Sequence, residues 1–303
     1  MIYRTYLGLD LQPNAIRAAA LRHHRKSATL IGGRLLGLKD GVFSPSFRKP
    51  NINNINLFID SVRDVLDPLA GGEQRISLAL PEQSGVQFLV DVESVLKSKS
   101  EGIEVLKWQL RDKLPDDVPL QLDYQVLSRD ESGRQRILLA GVSKDVLNQY
   151  EEVLNQAGYG ASMVGFRNMG LFNYYRSRFD SGENFVLIQI EDNSLNFQYY
   201  QNHLLAFHRS RNVGDDIENV FREIRRSLAG EGEKMVGLNR AIVYLHTNWD
   251  WTKEMHDALT NLFANEPLSL NPTIEKLSTQ PLALTDQQSR SLVTAIGTAE
   301  RLM

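Results

Sequence analysis

The chain contains no cysteine among its 303 residues. This absence excludes disulfide bridges, thiolate metal sites and cysteine nucleophiles. Long apolar runs are missing as well, because stretches such as 76–80 and 185–188 fall far short of the ~20 residues that a membrane-spanning helix needs. The N-terminus has no apolar signal core. We therefore expect a protein that neither spans a membrane nor carries a signal peptide, which is consistent with the cytoplasm.

The chain also lacks a strong excess of charge of either sign. Its 34 Lys and Arg residues against 37 Asp and Glu residues give a net charge of -3, and 42% of the residues are hydrophobic. This is the composition of an ordinary soluble protein, and without a basic excess we do not expect nucleic acid as a ligand. A chain of this length suits two domains of roughly 150 residues each.

Residues 1–81 have the pattern of an α/β lobe. Three strand-like runs, 3–11, 15–23 and 29–38, are separated by short polar turns and predict a β-meander. Apolar residues then recur at three- and four-residue spacing from Ile55 to Leu69. With Asn53 as the capping candidate, they predict an amphipathic helix that ends near Gly71. A strand over 75–80 completes the first half of a ribonuclease-H-like lobe.

Residues 82–145 predict a different, α+β unit. It consists of a strand at 86–92, a helix at 103–114 ended by Pro115, and a hairpin of 121–127 with 135–142 across a turn that contains Gly133. We interpret 82–145 as a subdomain inserted into lobe 1. Lobe 1 resumes over 146–182, with a helix at 144–157, a strand at 159–166, a helix at 168–179 and a domain boundary at 180–182.

Residues 183–303 predict a second lobe that repeats the first meander. Strand-like runs at 185–191, 195–201 and 204–210 precede a helix over about 217–228, a strand at 241–246 and helices at 251–263 and 287–302. Internal duplication of a strand triplet is typical of the actin-like fold. We therefore expect an α/β, actin-like protein with duplicated ribonuclease-H-like lobes.

Four motifs, in this order, resemble those of the PilM family: Leu122-Asp-Tyr-Gln-Val-Leu127, Ile137-Leu-Leu-Ala-Gly-Val-Ser-Lys-Asp-Val146, Leu154-Asn-Gln-Ala-Gly158 and Arg222-Glu-Ile-Arg-Arg-Ser-Leu228. PilM is the cytoplasmic actin-like component of type IV pilus assembly. The cytoplasmic domain of the secretion protein GspL is its relative, and MshI of the mannose-sensitive haemagglutinin pilus is a close variant. The resemblance covers nearly the whole chain.

The resemblance implies an actin-like fold with a small inserted subdomain, as the residues themselves predict. It also implies binding of the short N-terminal cytoplasmic tail of a PilN-like inner-membrane protein, which would place this chain at the inner membrane through its partner. Other pilus platform proteins are expected partners as well, whereas nucleic acid and direct membrane insertion are not.

The first nucleotide loop departs from the family. Asp10 is followed by Gln12, Pro13 and Asn14, where PilM proteins have Gly-Ser-Ser. Gln12 carries a side chain where the backbone should approach a phosphate, and Pro13 removes an N–H donor. Asp10 itself is compatible with a residual metal-binding carboxylate or with a simple turn residue.

The second and third nucleotide loops depart too. Gln189-Ile-Glu191 replaces Asp-x-Gly, so a carboxylate that would order metal and water is gone, and Glu191 is predicted to point toward the phosphates and repel them. His246-Thr-Asn-Trp249 replaces a glycine-rich adenosine loop. We predict no cofactor and no metal, with degenerate nucleotide positions at Asp10, Gln12, Asn14, Gln189, Glu191 and His246.

The lid over the nucleotide is expected to be missing or reduced. Family members have a small subdomain between the strand that ends near Ser210 and the next helix, whereas this chain has only residues 211–216. A nucleotide bound without a lid would stay exposed to water, which weakens phosphate contacts and any hydrolysis.

Two functions remain open at this point. The first is a pseudo-ATPase scaffold of a type IV pilus, similar to the mannose-sensitive haemagglutinin pilus, and the second is an active actin-like ATPase or filament former. The altered loops, and the absence of Walker and Gly-x-Ser-x-Gly patterns, favour the scaffold and predict that the chain is not an enzyme. For a partner groove between lobe 1 and its insert, we predict contacts from Trp108, Tyr124, Arg167, Asn168, Met169, Leu171 and Tyr174, with ordinary packing as the alternative.

Overall fold

The computed structural model describes residues 4–24, 27–93, 95–178, 182–231, 235–250, 253–278 and 280–303. In lobe 1, β1 (Thr5–Gln12), β2 (Ala15–His24) and β3 (Ser27–Gly37) form an antiparallel meander, as the sequence predicts. Strands β4 (Arg75–Leu80) and β8 (Gly160–Phe166) extend this sheet in parallel, which gives the order β3-β2-β1-β4-β8.

Two amphipathic helices cover one face of this sheet. Helix α1 (Ile55–Ala70) and helix α3 (Lys144–Ala157) bury their apolar stripes in one cluster with the strands. Helix α1 ends at Gly71, which adopts φ 56°, a left-handed conformation that glycine takes without a steric penalty. Its N-terminal cap is Asn54 and not the predicted Asn53, because Asn54 Oδ1 accepts the Leu57 N–H at 3.1 Å.

The insert lies between β4 and α3. Strands β5 (Gly85–Val92), β6 (Leu120–Arg129) and β7 (Gln135–Ser143) form an antiparallel sheet in the order β5-β7-β6. Helix α2 (Lys99–Gln109) packs on one face of it. The helix begins four residues before the predicted start, because the Ser98 side chain caps it by accepting the Glu101 N–H at 3.2 Å. The other face of the sheet contacts lobe 2, where Leu89 and Leu138 pack against the cluster that contains Leu205.

Lobe 2 repeats the meander with a second sheet. Strands β9 (Phe185–Glu191), β10 (Ser194–Gln201), β11 (Leu204–Asn212), β12 (Ile242–Thr247) and β13 (Leu268–Ser269) form the order β11-β10-β9-β12-β13. Helices α5 (Ile217–Glu231) and α6 (Lys253–Thr260) pack in one apolar cluster with these strands. Residues 213–216 alone join β11 to α5, as expected for a fold without the lid.

Three further helices pack where the lobes meet. They are α4 (Arg167–Tyr175), α7 (Asp286–Ser291) and α8 (Val293–Ala299); the last two replace the single helix predicted over 287–302 and are separated at Leu292. Helix α8 lies against β1, β2 and α4. A Cβ on Gly8 would collide with the Ala295 carbonyl and the Ala299 N–H, so the close approach of β1 and α8 requires this glycine.

The boundaries between the domains stay a prediction. Helix α8 lies in the range predicted for lobe 2, yet its residues pack on the sheet of lobe 1. Residues 180 and 181 of the predicted boundary, Phe179 at the predicted helix end and Trp251 at another predicted helix start lie outside the described residues. Within the described part of the chain, no helix combines the length and the apolar character needed to cross a membrane.

Candidate functional site

The first β-hairpin of lobe 1 and the first β-hairpin of lobe 2 lie next to each other where the lobes meet. Strand β1 carries Asp10 near its end in lobe 1, and β9 ends at Glu191 in lobe 2. Helix α4 begins between them at Arg167, directly after β8. These three side chains are almost completely buried, with exposed fractions of 0 to 1%. The site is therefore an interlobe cluster of charges without contact to bulk water.

The guanidinium of Arg167 joins the two lobes. Its Nε donates to Asp10 Oδ1 at 2.6 Å, and one terminal nitrogen donates to Glu191 Oε2 at 2.6 Å. A buried charge is costly unless it is paired and hydrogen-bonded, and here one cation is paired with a carboxylate from each lobe. The distances are those of strong charge-assisted hydrogen bonds.

A second arginine supports the same junction. Arg17 lies on β2 directly opposite Asp10 in the strand register, and its nitrogen approaches Asp10 Oδ2 to 3.6 Å. Its other terminal nitrogen donates to Asp192 Oδ2 at 2.6 Å, across to the tight turn that follows β9. Two guanidinium groups of lobe 1 thus contact two consecutive carboxylates of lobe 2.

Polar side chains of lobe 2 complete the cluster around Glu191. Gln189 Nε2 donates to Glu191 Oε2 at 2.6 Å, and His246 Nε2 lies 3.2 Å from Glu191 Oε1. The other ring nitrogen of His246 lies 2.9 Å from the Tyr175 hydroxyl. The His246 ring therefore lies within hydrogen-bond distance of both Glu191 and Tyr175.

A carboxylate occupies the N-terminus of α4. Glu82, in the turn after β4, accepts the Asn168 N–H at 2.8 Å. A helix N-terminus favours an anion because its first N–H groups have no partner in the helix. The protein therefore supplies its own anion at the start of α4, beside Arg167.

The surroundings separate the pKa values of the acids at this site. Burial raises the pKa of Asp10 to about 6, with Arg167 and Arg17 acting in the opposite direction. Burial also acts on Glu191, but Arg167, His246 and Arg17 hold its pKa well below the ordinary value. Glu191 has more hydrogen-bond partners than Asp10, and this favours the charged form of Glu191 over that of Asp10. Burial raises the pKa of Glu82 as well.

The predicted nucleotide positions fall into two groups. Asp10, Gln189, Glu191 and His246 belong to the cluster, although Glu191 bonds to Arg167 instead of pointing toward an open phosphate site. Gln12 is buried and its amide nitrogen has no hydrogen-bond partner, whereas Asn14 is exposed in the turn.

The predicted partner-binding residues are scattered. Trp108 is 69% exposed, with Arg111 stacked over its ring, and Tyr124 covers Gly102 of α2. Met169 is half-buried. The remaining four are buried: Arg167, Asn168, Leu171 and Tyr174. These four side chains offer no surface to a partner in this conformation. A role in partner contact stays a prediction for all seven residues.

The sequence interpretation missed three members of the site: Arg17, Glu82 and Asp192. Arg17 had a visible signal, since it is the one charged residue in the apolar run 15–21. A charge inside a buried strand needs a buried counter-ion. Nothing in the sequence showed which carboxylates would meet it, because Asp192 is 175 positions away.

A groove separates lobe 1 from the insert. Its cavity volume is about 370 Å³. Apolar side chains from both parts line it, among them Leu80, Ile103, Leu122, Leu147 and Phe166. The ion pair of Lys99 with Asp123 marks one side. No group of three or more metal-binding side chains exists at this groove or elsewhere among the residues that the structure describes.

The geometry defines an actin-like ATPase fold, as the sequence predicts. A protein from Bacteroides thetaiotaomicron with an actin-like ATPase fold and unknown function superposes with a TM-score of 0.58. The two chains share 11% identity over 96% of this chain and 95% of that one. The prediction of the fold class is confirmed.

Within that class, similarity is high to a chain of the PilM–PilN type IV pilus biogenesis complex. The TM-score is 0.78, with 14% identity over 98% of each chain. The cytoplasmic domain of EpsL, an inner-membrane component of the type II secretion system of Vibrio cholerae, follows at 0.50 and 11% identity, over 95% of this chain and 94% of that one. No protein-family profile and no curated protein sequence matches the chain. At these identities the likeness establishes the fold.

The raised pKa of Asp10 predicts a specific pH dependence of stability. The folded state holds the Asp10 proton more tightly than the unfolded state, so this group's contribution to the free energy of unfolding decreases as the pH rises between the two pKa values. Relative to Asp10→Asn, the wild type should lose about 3 kcal/mol between pH 3.8 and about 6. Urea unfolding at a series of pH values measures it. The exposed Asp112→Asn variant should track the wild type, and a pH-independent difference for Asp10→Asn would contradict the assignment.

Proposed function

We propose that this protein is a cytoplasmic scaffold of a type IV pilus assembly platform, which binds the tail of a PilN-like inner-membrane protein and does not use ATP. The observation that carries the proposal is the interlobe cluster around Arg167, together with the likeness in fold to the PilM–PilN complex. The cluster supports the loss of nucleotide chemistry, and the fold supports the kind of assembly.

The described residues do not fit the phosphates of a nucleotide. In an actin-like fold the phosphates lie between the two hairpins, where this chain places Asp10, Glu191 and Asp192 around two of its own guanidinium groups. A polyphosphate would add like charge to three carboxylates and would have to displace the buried ion pairs. Pro13 further removes a backbone donor from the first loop, and Gln12 adds a side chain there.

The groove between lobe 1 and the insert suits the tail of a membrane protein. Its apolar lining offers buried contact area, and its rim offers a charged pair to a segment that must become ordered on binding. The residues that form it come from α2, α3, β4, β6, β7 and β8, and they replace the buried residues of α4 as the proposed contact surface. The mannose-sensitive haemagglutinin pilus is our proposed system on the resemblance in sequence alone.

Titration with ATP and magnesium tests the first half of the proposal. We expect no saturable heat below the millimolar range in isothermal titration calorimetry, because binding would require the buried ion pairs to separate. A micromolar dissociation constant would instead support the second candidate function, an active actin-like ATPase or filament former. An active actin-like ATPase assayed in parallel serves as the positive control.

Binding of the tail tests the second half. A peptide with the N-terminal cytoplasmic sequence of a PilN-like protein encoded beside this chain should bind with an affinity in the micromolar range, typical of a small interface that orders a flexible segment. Ala140→Leu fills the groove and should weaken binding by about tenfold or more. Ala161→Leu makes the same change at a half-buried position of β8 outside the groove and should bind normally. If both variants bind like the wild type, the groove is not the site.

A further inference from the structure

A second cleft separates the insert from lobe 2. Its cavity volume is about 610 Å³. One wall is formed by residues 82, 83 and 85–88, which include the start of β5, and the other by residues 207–212 of β11. No residue lines both this cleft and the groove between lobe 1 and the insert. The two spaces are therefore independent.

Both walls of the cleft are edges of sheets. Strand β5 is the outermost strand of the insert sheet, and β11 is the outermost strand of the lobe 2 sheet. The two strands do not pair with each other. An edge strand presents N–H and C=O groups that an added extended segment can satisfy. The six residues 207–212 of β11 offer about 20 Å of such an edge at ~3.3 Å per residue.

Two polar atoms at the β11 wall have no partner. His208 Nδ1 and Arg209 Nε are buried and make no hydrogen bond. Burial lowers the pKa of His208 to about 4, so its ring is neutral near pH 7. Buried polar atoms are rarely left without partners, and a segment bound in the cleft would bring them polar groups.

The charge of the β11 wall is positive. Arg209 and Arg211 share one carboxylate, Glu223 of α5, at 2.9 and 3.6 Å, and Arg226 contacts the same group. Arg226 lies outside the cleft, so two guanidinium groups of the wall share one carboxylate, which leaves a local positive excess on a chain whose net charge is -3. On the opposite wall, Glu82 is already engaged by the Asn168 N–H. The cleft therefore favours an acidic occupant.

A second copy of this chain does not fit that requirement. Pairing two β11 edges would bring the arginines of both copies together, and like charges across paired strands are destabilising. Charged residues on an edge strand oppose such self-association, while they still attract a segment of opposite charge.

We propose that an acidic, extended segment of a protein partner enters the cleft between the insert and lobe 2 and adds a strand to the edge of β11. Its backbone bonds to the β11 edge, and its carboxylates face Arg209 and Arg211. The surface is separate from the groove for the membrane-protein tail, and one protein can engage both partners.

The probe for this proposal is a fluorescein-labelled, capped eight-residue peptide that alternates threonine and glutamate. We expect saturable binding by fluorescence anisotropy, with slower hydrogen exchange of the amides in β11. Arg211→Glu reverses an exposed charge in the cleft and should weaken binding by about tenfold or more. Lys39→Glu makes the same change in charge on an exposed loop of lobe 1 and should leave binding unchanged.

A second peptide separates strand addition from simple charge attraction. It keeps every glutamate but replaces every threonine with proline, which removes backbone donors. Failure of this peptide to bind supports the proposal. The proposal is overturned if the proline peptide binds equally well, if the threonine–glutamate peptide does not bind, or if both protein variants weaken binding equally. Arg211-dependent binding of anionic phospholipid vesicles or of an oligonucleotide, without binding of the peptide, would also overturn it.

Discussion

The ion pairs of Arg167 with Asp10 and Glu191 determine how the two lobes are held together. In a nucleotide-dependent actin-like protein, a bound ligand would be expected to bridge the two hairpins. Here Arg167 of α4 contacts Asp10 and Glu191 at 2.6 Å each, and Arg17 adds a second contact between the lobes at Asp192. Removing one partner of a buried ion pair typically costs about 3–5 kcal/mol, because the other charge is left buried without compensation. The arrangement of the lobes therefore depends on residues of the chain itself.

This constraint connects the other features of the site. Arg167 is the first residue of α4, where a cation is normally unfavourable because of the helix dipole. Glu82 at the same helix end, with Asp10 and Glu191 around the guanidinium, offsets that cost. Helix α4 in turn packs closely on α8, where a Cβ on Gly297 would collide with the Gly170 carbonyl. The C-terminal helix, the interlobe cluster and the sheet of lobe 1 form one continuous packed unit.

The scaffold role that we propose would benefit from such a unit. Because the interlobe cluster is built from side chains of the chain itself, we expect the groove between lobe 1 and the insert, and the cleft between the insert and lobe 2, to keep their shapes without nucleotide. The insert contacts lobe 2 through Leu89 and Leu138, so the surfaces on its two sides are both supported. Preformed surfaces reduce the ordering cost of binding.

Local patterns in the sequence predicted much of the fold. Helix α3 begins and ends at the predicted residues 144 and 157, because its apolar periodicity and Gly158 define both the face and the end. The duplicated meander and the missing lid were equally visible. The cluster was not, because Asp10 and Arg167 are 157 positions apart and nothing local selects the counter-ion of a buried arginine. The return of α8 to lobe 1 depends on tertiary packing in the same way.

A double-mutant cycle between Arg167 and Glu191 tests the central claim most directly. Arg167→Met, Glu191→Gln and the double variant are compared with the wild type by urea unfolding at pH 7. We predict a coupling energy of about 2 kcal/mol or more, with the double variant more stable than Arg167→Met alone. The exposed pair Arg48 and Asp117 provides a control cycle, in which the coupling energy should be much smaller because water screens exposed charges. Additive effects at Arg167 and Glu191, within about 0.5 kcal/mol, would contradict the claim that this ion pair holds the lobes together.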